Sequence, residues 1–399
     1  MHRNLRILPW WWVLRWPAFG EALWVIYLVE QHGFSLGRVF LLHALFVAVA
    51  LTAEVPSGVF ADRFGRRPSI LLATALIAVG FLAFGLADHA AVLVFAWLSL
   101  ALADAFMSGA DGALLYETLD ALDRGGEFAA KLGRFGALQN AALAVIVLAG
   151  SALADVTEPR VPFILAGAAA LPAVALAWLL AEPPRPAPLG DTPSSTRPSF
   201  IETGRAALTR AGRTPVIATV ILVFALVTMT PEIMGLTIQP LVRSHDLPLW
   251  VLGISGAGVM LSSSIGAWLS GAAGSRWGTH RLLWTVAPLA AVVLLAGAAG
   301  TPILLPLFVL PTGCWGLLNP LVADYLSRRT PAGERATILS LMNLAPGVLS
   351  IGVTLALAPL IDTAGLRGTL GAASLVLLAL ILGALTLWSR ADRAASPVR

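Results

Sequence analysis

Twelve stretches of nearly uninterrupted apolar residues follow one another along this 399-residue chain, separated by short polar breaks. They fall near residues 10–31, 38–60, 68–87, 91–116, 135–154, 161–181, 215–241, 249–272, 281–299, 302–326, 335–360 and 367–389, the third and ninth being short. A helix needs roughly 20 apolar residues to cross a bilayer. In lipid, a spanning segment must satisfy its own backbone polar groups, which leaves helices or closed barrels. Segments this long and this apolar read as helices. Residues are 58% hydrophobic and 12% charged, against a charged fraction of about 25% in a soluble domain. Twelve spans and their loops leave no room for a sizeable soluble domain. The first apolar run follows Arg3 and Arg6 with no small-residue cleavage site, so it is expected to stay as a first helix.

Loop charge orients the spans, because cytoplasmic loops collect Lys and Arg. With the N-terminus inside, 21 of the 26 basic residues fall on the cytoplasmic side, four fall outside (Arg38, Arg160, Arg243, Arg367), and Arg15 lies within the first span. That split also puts the C-terminus inside. It accounts for the basic balance, 26 Lys and Arg against 22 Asp and Glu, without a nucleic-acid partner. The single cysteine, Cys314, excludes an internal disulfide or a cysteine metal cluster. No metal and no cofactor is expected.

The longest loop, 182–213, opens Pro- and Ser-rich like a flexible linker. Its later part, from Phe200, reads either as a short basic surface helix or as a solvated linker end. It divides six spans, 1–181, from six spans, 214–399. The halves echo each other: GVFADRFGRR after span 2 against GAAGSRWGTHR after span 8, and LDRGGEFAAKLGR after span 4 against LSRRTPAGERATILS after span 10. A duplicated bundle gives such offsets.

Gly58-Val-Phe-Ala-Asp62-Arg63-Phe-Gly65-Arg66-Arg67 meets every fixed position of Gly-x-x-x-Asp-Arg-x-Gly-Arg-Arg/Lys. It therefore resembles the signature loop between helices 2 and 3 of the major facilitator superfamily. The segments SGADGALLYETL and ERATILSLMNL also look like ones common in bacterial members. The resemblance implies an all-α membrane protein of two six-helix bundles related by pseudo-two-fold symmetry. It implies a monomer in the bacterial inner membrane that moves a small molecule by alternating access. In this reading Gly58 and Gly65 allow close approach and a tight turn. Asp62 sits at a helix N-terminus, where a carboxylate gains about 0.3–1 kcal/mol. Arg63, Arg66 and Arg67 bridge carboxylates on neighbouring helix ends as a latch, with Glu117 well placed to join and Glu54 behind it. The chain departs from the family's drug exporters. Asp104 and Asp111 stand in span 4 where an Arg is often found, and span 5 lacks a Gly-Pro pair. The nearest such feature is Ala345-Pro346-Gly347.

Ionisable residues inside spans are costly and mark functional candidates. Glu21 and Arg15 lie in span 1 and Glu232 follows Pro231 in span 7. Asp104 and Asp111 lie seven apart in span 4, expected on one helical face with Ser108 between them. In the family fold, helices 1, 4, 7 and 10 line the cavity, which would add Trp315 and Asn319. A carboxylate there can exchange a proton for a cation, or carry a proton across. Two readings stand for Arg15, a cavity charge or a structural bridge to Glu21 or an aspartate. Two stand for Asp111, cavity or latch. His43 reads as a hydrogen-bonded core histidine rather than a relay.

The expected function is proton-coupled export of a small amphipathic or cationic compound. The alternative is proton-coupled uptake of a polar metabolite. A polytopic membrane enzyme or a non-transporting sensor is the reading of another class. The single lysine, Lys131, leaves no Walker loop for ATP, and no clustered His motif suggests an enzyme.

Overall fold

The computed structural model describes residues 1–184, 214–331 and 334–395. No strand occurs among the described residues. The helices are α1 (His2–Leu14), α2 (Trp24–Ile26), α3 (Leu36–Phe64), α4 (Arg66–Gly85), α5 (Ala90–Met107), α6 (Ala110–Asp120), α7 (Phe128–Val156), α8 (Val161–Leu179), α9 (Pro215–Arg243), α10 (Trp250–Ala299), α11 (Leu310–Arg329) and α12 (Arg335–Ala395). A π-helical turn, Tyr27–Gln31, follows α2, and 3-10 segments cover Gly125–Glu127 and Pro302–Val309. Among the described residues, nine helical stretches are long and apolar enough to cross a membrane. Two of these hold two predicted spans each. α10 is broken by left-handed Gly278 (φ 75°) and α12 by Gly365 (φ 72°), at the polar breaks read from the sequence. Large apolar side chains such as Trp268 (82% exposed) and Ile303 (84% exposed) point outward, as lipid-facing residues do.

Two predicted spans are not single helices. Span 1 breaks after Leu14, and residues 15–23 run as bends and turns before α2. Pro17 has no amide to donate and disfavours helix at the residue before it. Gly150 of α7 makes room for this stretch, since a Cβ there would overlap the Phe19 carbonyl. Span 4 breaks at Ser108 (ψ 114°) and Gly109 (φ 75°), so α5 and α6 are separate helices. The surface helix expected after Phe200 lies outside the described residues.

The chain divides into two compact units. Unit 1 comprises Met1–Gly33, Leu45–Arg197 and Pro248–Ala257; unit 2 comprises Phe34–Ala44, Pro198–Leu247 and Gly258–Arg399. Thus α3 and α10 each contribute to both. In unit 1, α4 packs on α5 and α8. Small residues bring the backbones close: Gly80 meets Leu100, and Gly167 meets Leu82. Tyr27, Phe84 and Phe163 stack into a buried aromatic cluster, and Trp11 and Trp12 fill the space among α1, α4 and α7. In unit 2, α9 packs on α12 and α11 and is buried on most of its surface. Gly266 of α10 lies against the Gly313 carbonyl of α11.

Candidate functional site

The break in span 1 ends α1 at Leu14 and leaves Arg15 as its cap. The Arg15 guanidinium pairs through Nη1 with Asp111 Oδ2 and donates from Nη2 to Gln139 Oε1 of α7 at 3.0 Å. It also lies over the Trp12 ring, 4.6 Å from its centre. The Arg15 and Asp111 side chains are 16% and 18% exposed, so the pair is largely withdrawn from solvent. This decides the Asp111 pairing: its partner is Arg15, not the arginines of the 58–67 loop. Gln139 was not singled out from the sequence, although Gln139-Asn140 is the polar pair inside an otherwise apolar span.

Asp104 and Asp111 do not share a face of one helix, because the Ser108–Gly109 break intervenes. Arg15 relates them instead, paired with Asp111 and within electrostatic reach of Asp104. Glu54 of α3 is within electrostatic reach of Asp104. The two helices touch there through Ser57, which donates to the Ala105 carbonyl at 2.8 Å. Asp104 takes no ion-pair partner among the described residues. Glu54, Asp104 and Ser108 are exposed, as is Glu21 in the irregular stretch after Arg15.

Unit 2 holds a second set. Glu232 of α9 accepts from Ser350 of α12 at 2.7 Å, and its Oε1 lies 2.6 Å from His43 Nε2 of α3. Of the α11 candidates, Trp315 keeps its indole N–H buried without a partner among the described residues, and Asn319 is half-buried.

The 58–67 loop forms a cluster within unit 1. Arg66 bridges Asp62 at 2.8 Å and Glu117 of α6 at 3.2 Å. Asp62 is not at a helix N-terminus but in the last turn of α3. The carboxylate at the N-terminus of α4 is Glu182, which accepts from the Arg66 and Arg67 amides at 2.7 Å each. Asn4, fully buried, holds that segment: it donates to the Ala181 carbonyl at 2.8 Å and accepts the Ala181 amide at 2.8 Å. Arg67 reaches the Trp178 carbonyl at 2.7 Å rather than a carboxylate, and Arg63 lies over the Phe64 ring. Gly65 turns with φ 112°, whereas a Cβ at Gly58 would meet nothing. Only Gly65 needs to be glycine on these grounds. Arg66→Ala removes both bridges and is expected to redistribute the protein between its transport states. Cysteine accessibility on the two membrane faces reads this, and unchanged patterns would exclude a gating role.

Comparison with known proteins follows this geometry. A family model described as Major Facilitator Superfamily matches residues 18–354. An uncharacterized MFS-type transporter, YxaM of Bacillus subtilis strain 168, is 34% identical over 98 residues, and that match spans 24% of each chain. The crystal structure of the nucleoside transporter NupG superposes with TM-score 0.75 at 12% identity, covering 97% of this chain and 98% of that one. A bacterial homologue of the human lysosomal transporter Spinster gives 0.73 at 15%, covering 99% and 98%. A peptide transporter, POT, gives 0.69 at 16%, covering 97% and 94%. At these identities the structures speak for the fold alone.

Proposed function

The chain belongs to the major facilitator superfamily, and from that premise we propose that it is a proton-coupled transporter exporting a small amphipathic or cationic compound. It is a multi-pass membrane transporter rather than an enzyme. In our reading it sits in a bacterial inner membrane with both termini cytoplasmic and works as a monomer. Segments 1–181 and 214–399 act as the two bundles, joined by 182–213. The observation that carries the coupling is the arrangement around Arg15. One carboxylate, Asp111, neutralises it, while a second, Asp104, stays within reach and takes no ion-pair partner among the described residues. A membrane carboxylate in that position can take a proton or a cationic cargo in turn. A second reading, uptake of a polar metabolite, draws on the Arg15 and Gln139 pair, whose donors and acceptor suit a polar or carboxylate-bearing solute.

The test uses full-length protein in proteoliposomes, with a substrate identified by thermal-shift screening at two pH values. Asp104→Asn and Glu21→Gln, made separately, are each expected to impair gradient-driven flux while leaving counterflow and folding intact. Wild-type flux in both variants would remove the coupling assignment.

A further inference from the structure

We propose that His43, Glu232 and Ser350 form a proton-binding site in unit 2, with His43 as the group that loads. The proposal rests on the coupling reading above and adds to it a site that does not involve Arg15.

Three helices converge on one carboxylate oxygen. Glu232 Oε1 lies 2.6 Å from His43 Nε2 and accepts from Ser350 Oγ at 2.7 Å. The Glu232 side chain is 27% exposed and that of His43 19%, so the pair is sheltered but not sealed. The placement of His43 is fixed independently. Asp362 of α12 accepts the Gly37 amide at 2.9 Å and the Ser35 hydroxyl at 2.8 Å, seating the start of α3. A Cβ at Gly37 would overlap Asp362 and the Ala358 carbonyl, so glycine lets the two backbones meet there. Six residues on, about 9 Å along the helix, His43 meets Glu232.

Most other charged residues of these elements stand away from the pair. α3 carries Arg38 about one and a half turns before His43, and Glu54, Asp62 and Arg63 at least three turns after it. On α9, Arg243 is at the far end. α11 carries Asp324, Arg328 and Arg329 in its last turns. The part of α12 before Gly365 carries Arg335 and Asp362, more than three turns either side of Ser350. Among the described residues, the titratable group within hydrogen-bond distance of Glu232 is His43.

The proton balance is simple. With neutral imidazole, Nε2–H donates to the Glu232 carboxylate and the pair carries −1. Uptake of a proton from water by the imidazole gives imidazolium against carboxylate with net charge zero. Loss of that proton to water restores −1. Histidine is the side chain whose ordinary range places such a change near neutral pH. The serine hydroxyl satisfies the carboxylate in both states.

Infrared difference spectra of the reconstituted protein, between about pH 5 and about pH 8, test this with the proton itself as probe. Six histidines contribute imidazole ring bands; the component of His43 is the one lost in His43→Gln, and it is expected to be altered in Glu232→Gln. It should persist in Asp104→Asn. Ring bands identical in wild type and His43→Gln would overturn the site. Should that variant not fold, ring bands unchanged by Glu232→Gln in histidine-labelled protein would overturn it equally. Gradient-driven flux should be lost in His43→Gln with counterflow retained. Full gradient-driven flux in that variant would overturn a coupling role for the pair. Normal bands in a wild type without proton-driven flux would remove the coupling reading and leave the proton site standing.

Discussion

Asp111→Ala is expected to lower stability by about 2–3 kcal/mol and to abolish transport. The substitution leaves the Arg15 guanidinium its bond to Gln139, its contacts with the Trp11 and Trp12 rings and the more distant Asp104 charge, but no ion pair among the described residues. Removing one member of a buried pair costs about 3–5 kcal/mol, because the survivor is an uncompensated charge. The side chains are 16% and 18% exposed, and water reaching them lowers that figure. The double variant Arg15→Gln/Asp111→Asn separates the two readings of Arg15. Neutral amides can keep hydrogen bonds there without a charge, so the melting temperature should return close to wild type. If Arg15 is a cavity charge, transport stays lost in the refolded double variant. Restored transport would make the pair a structural bridge, as one reading of the sequence allowed.

The same pair shows what was legible beforehand. Spans could be read because lipid demands long apolar helices whose lengths are local properties. The breaks at Gly278 and Gly365 could be read because polar loops mark them. The 58–67 loop could be read because its turn and charges lie within ten residues. The Arg66–Glu117 bridge followed from that loop and the nearest carboxylate on a helix end. Pairings across long separations were not legible. His43 and Glu232 are 189 positions apart, and Asn4 and Thr118 are 114 apart. Nothing in either local pattern names the other. The seven-residue argument for Asp104 and Asp111 failed for a different reason. Periodicity assumes an unbroken helix, and Gly109 takes a left-handed conformation that ends one. Asp62 failed likewise: the sequence shows a carboxylate near a turn, but not on which side of it the helix begins.

Gly65→Ala is the substitution that should hurt the signature loop most. Gly65 holds φ 112° and ψ 163°, a region essentially reserved for glycine and costing about 1–3 kcal/mol for other residues. Space is also lacking, since an added Cβ would stand 2.5 Å from Glu182 Oε1. The same carboxylate accepts the Arg66 and Arg67 amides, so the methyl would push the cap off α4. Loss of a helix cap costs about 0.5–2 kcal/mol. Glu182→Ala alone removes the cap and the clash but leaves the turn, so it should destabilise less than Gly65→Ala. In the double variant the clash is gone and the cap is already lost. Its destabilisation should therefore fall short of the sum of the two single changes by about 0.5–2 kcal/mol. Melting temperatures of the three purified variants measure this. Strict additivity would mean that Gly65 and Glu182 act separately, and that the glycine of this loop serves backbone conformation alone.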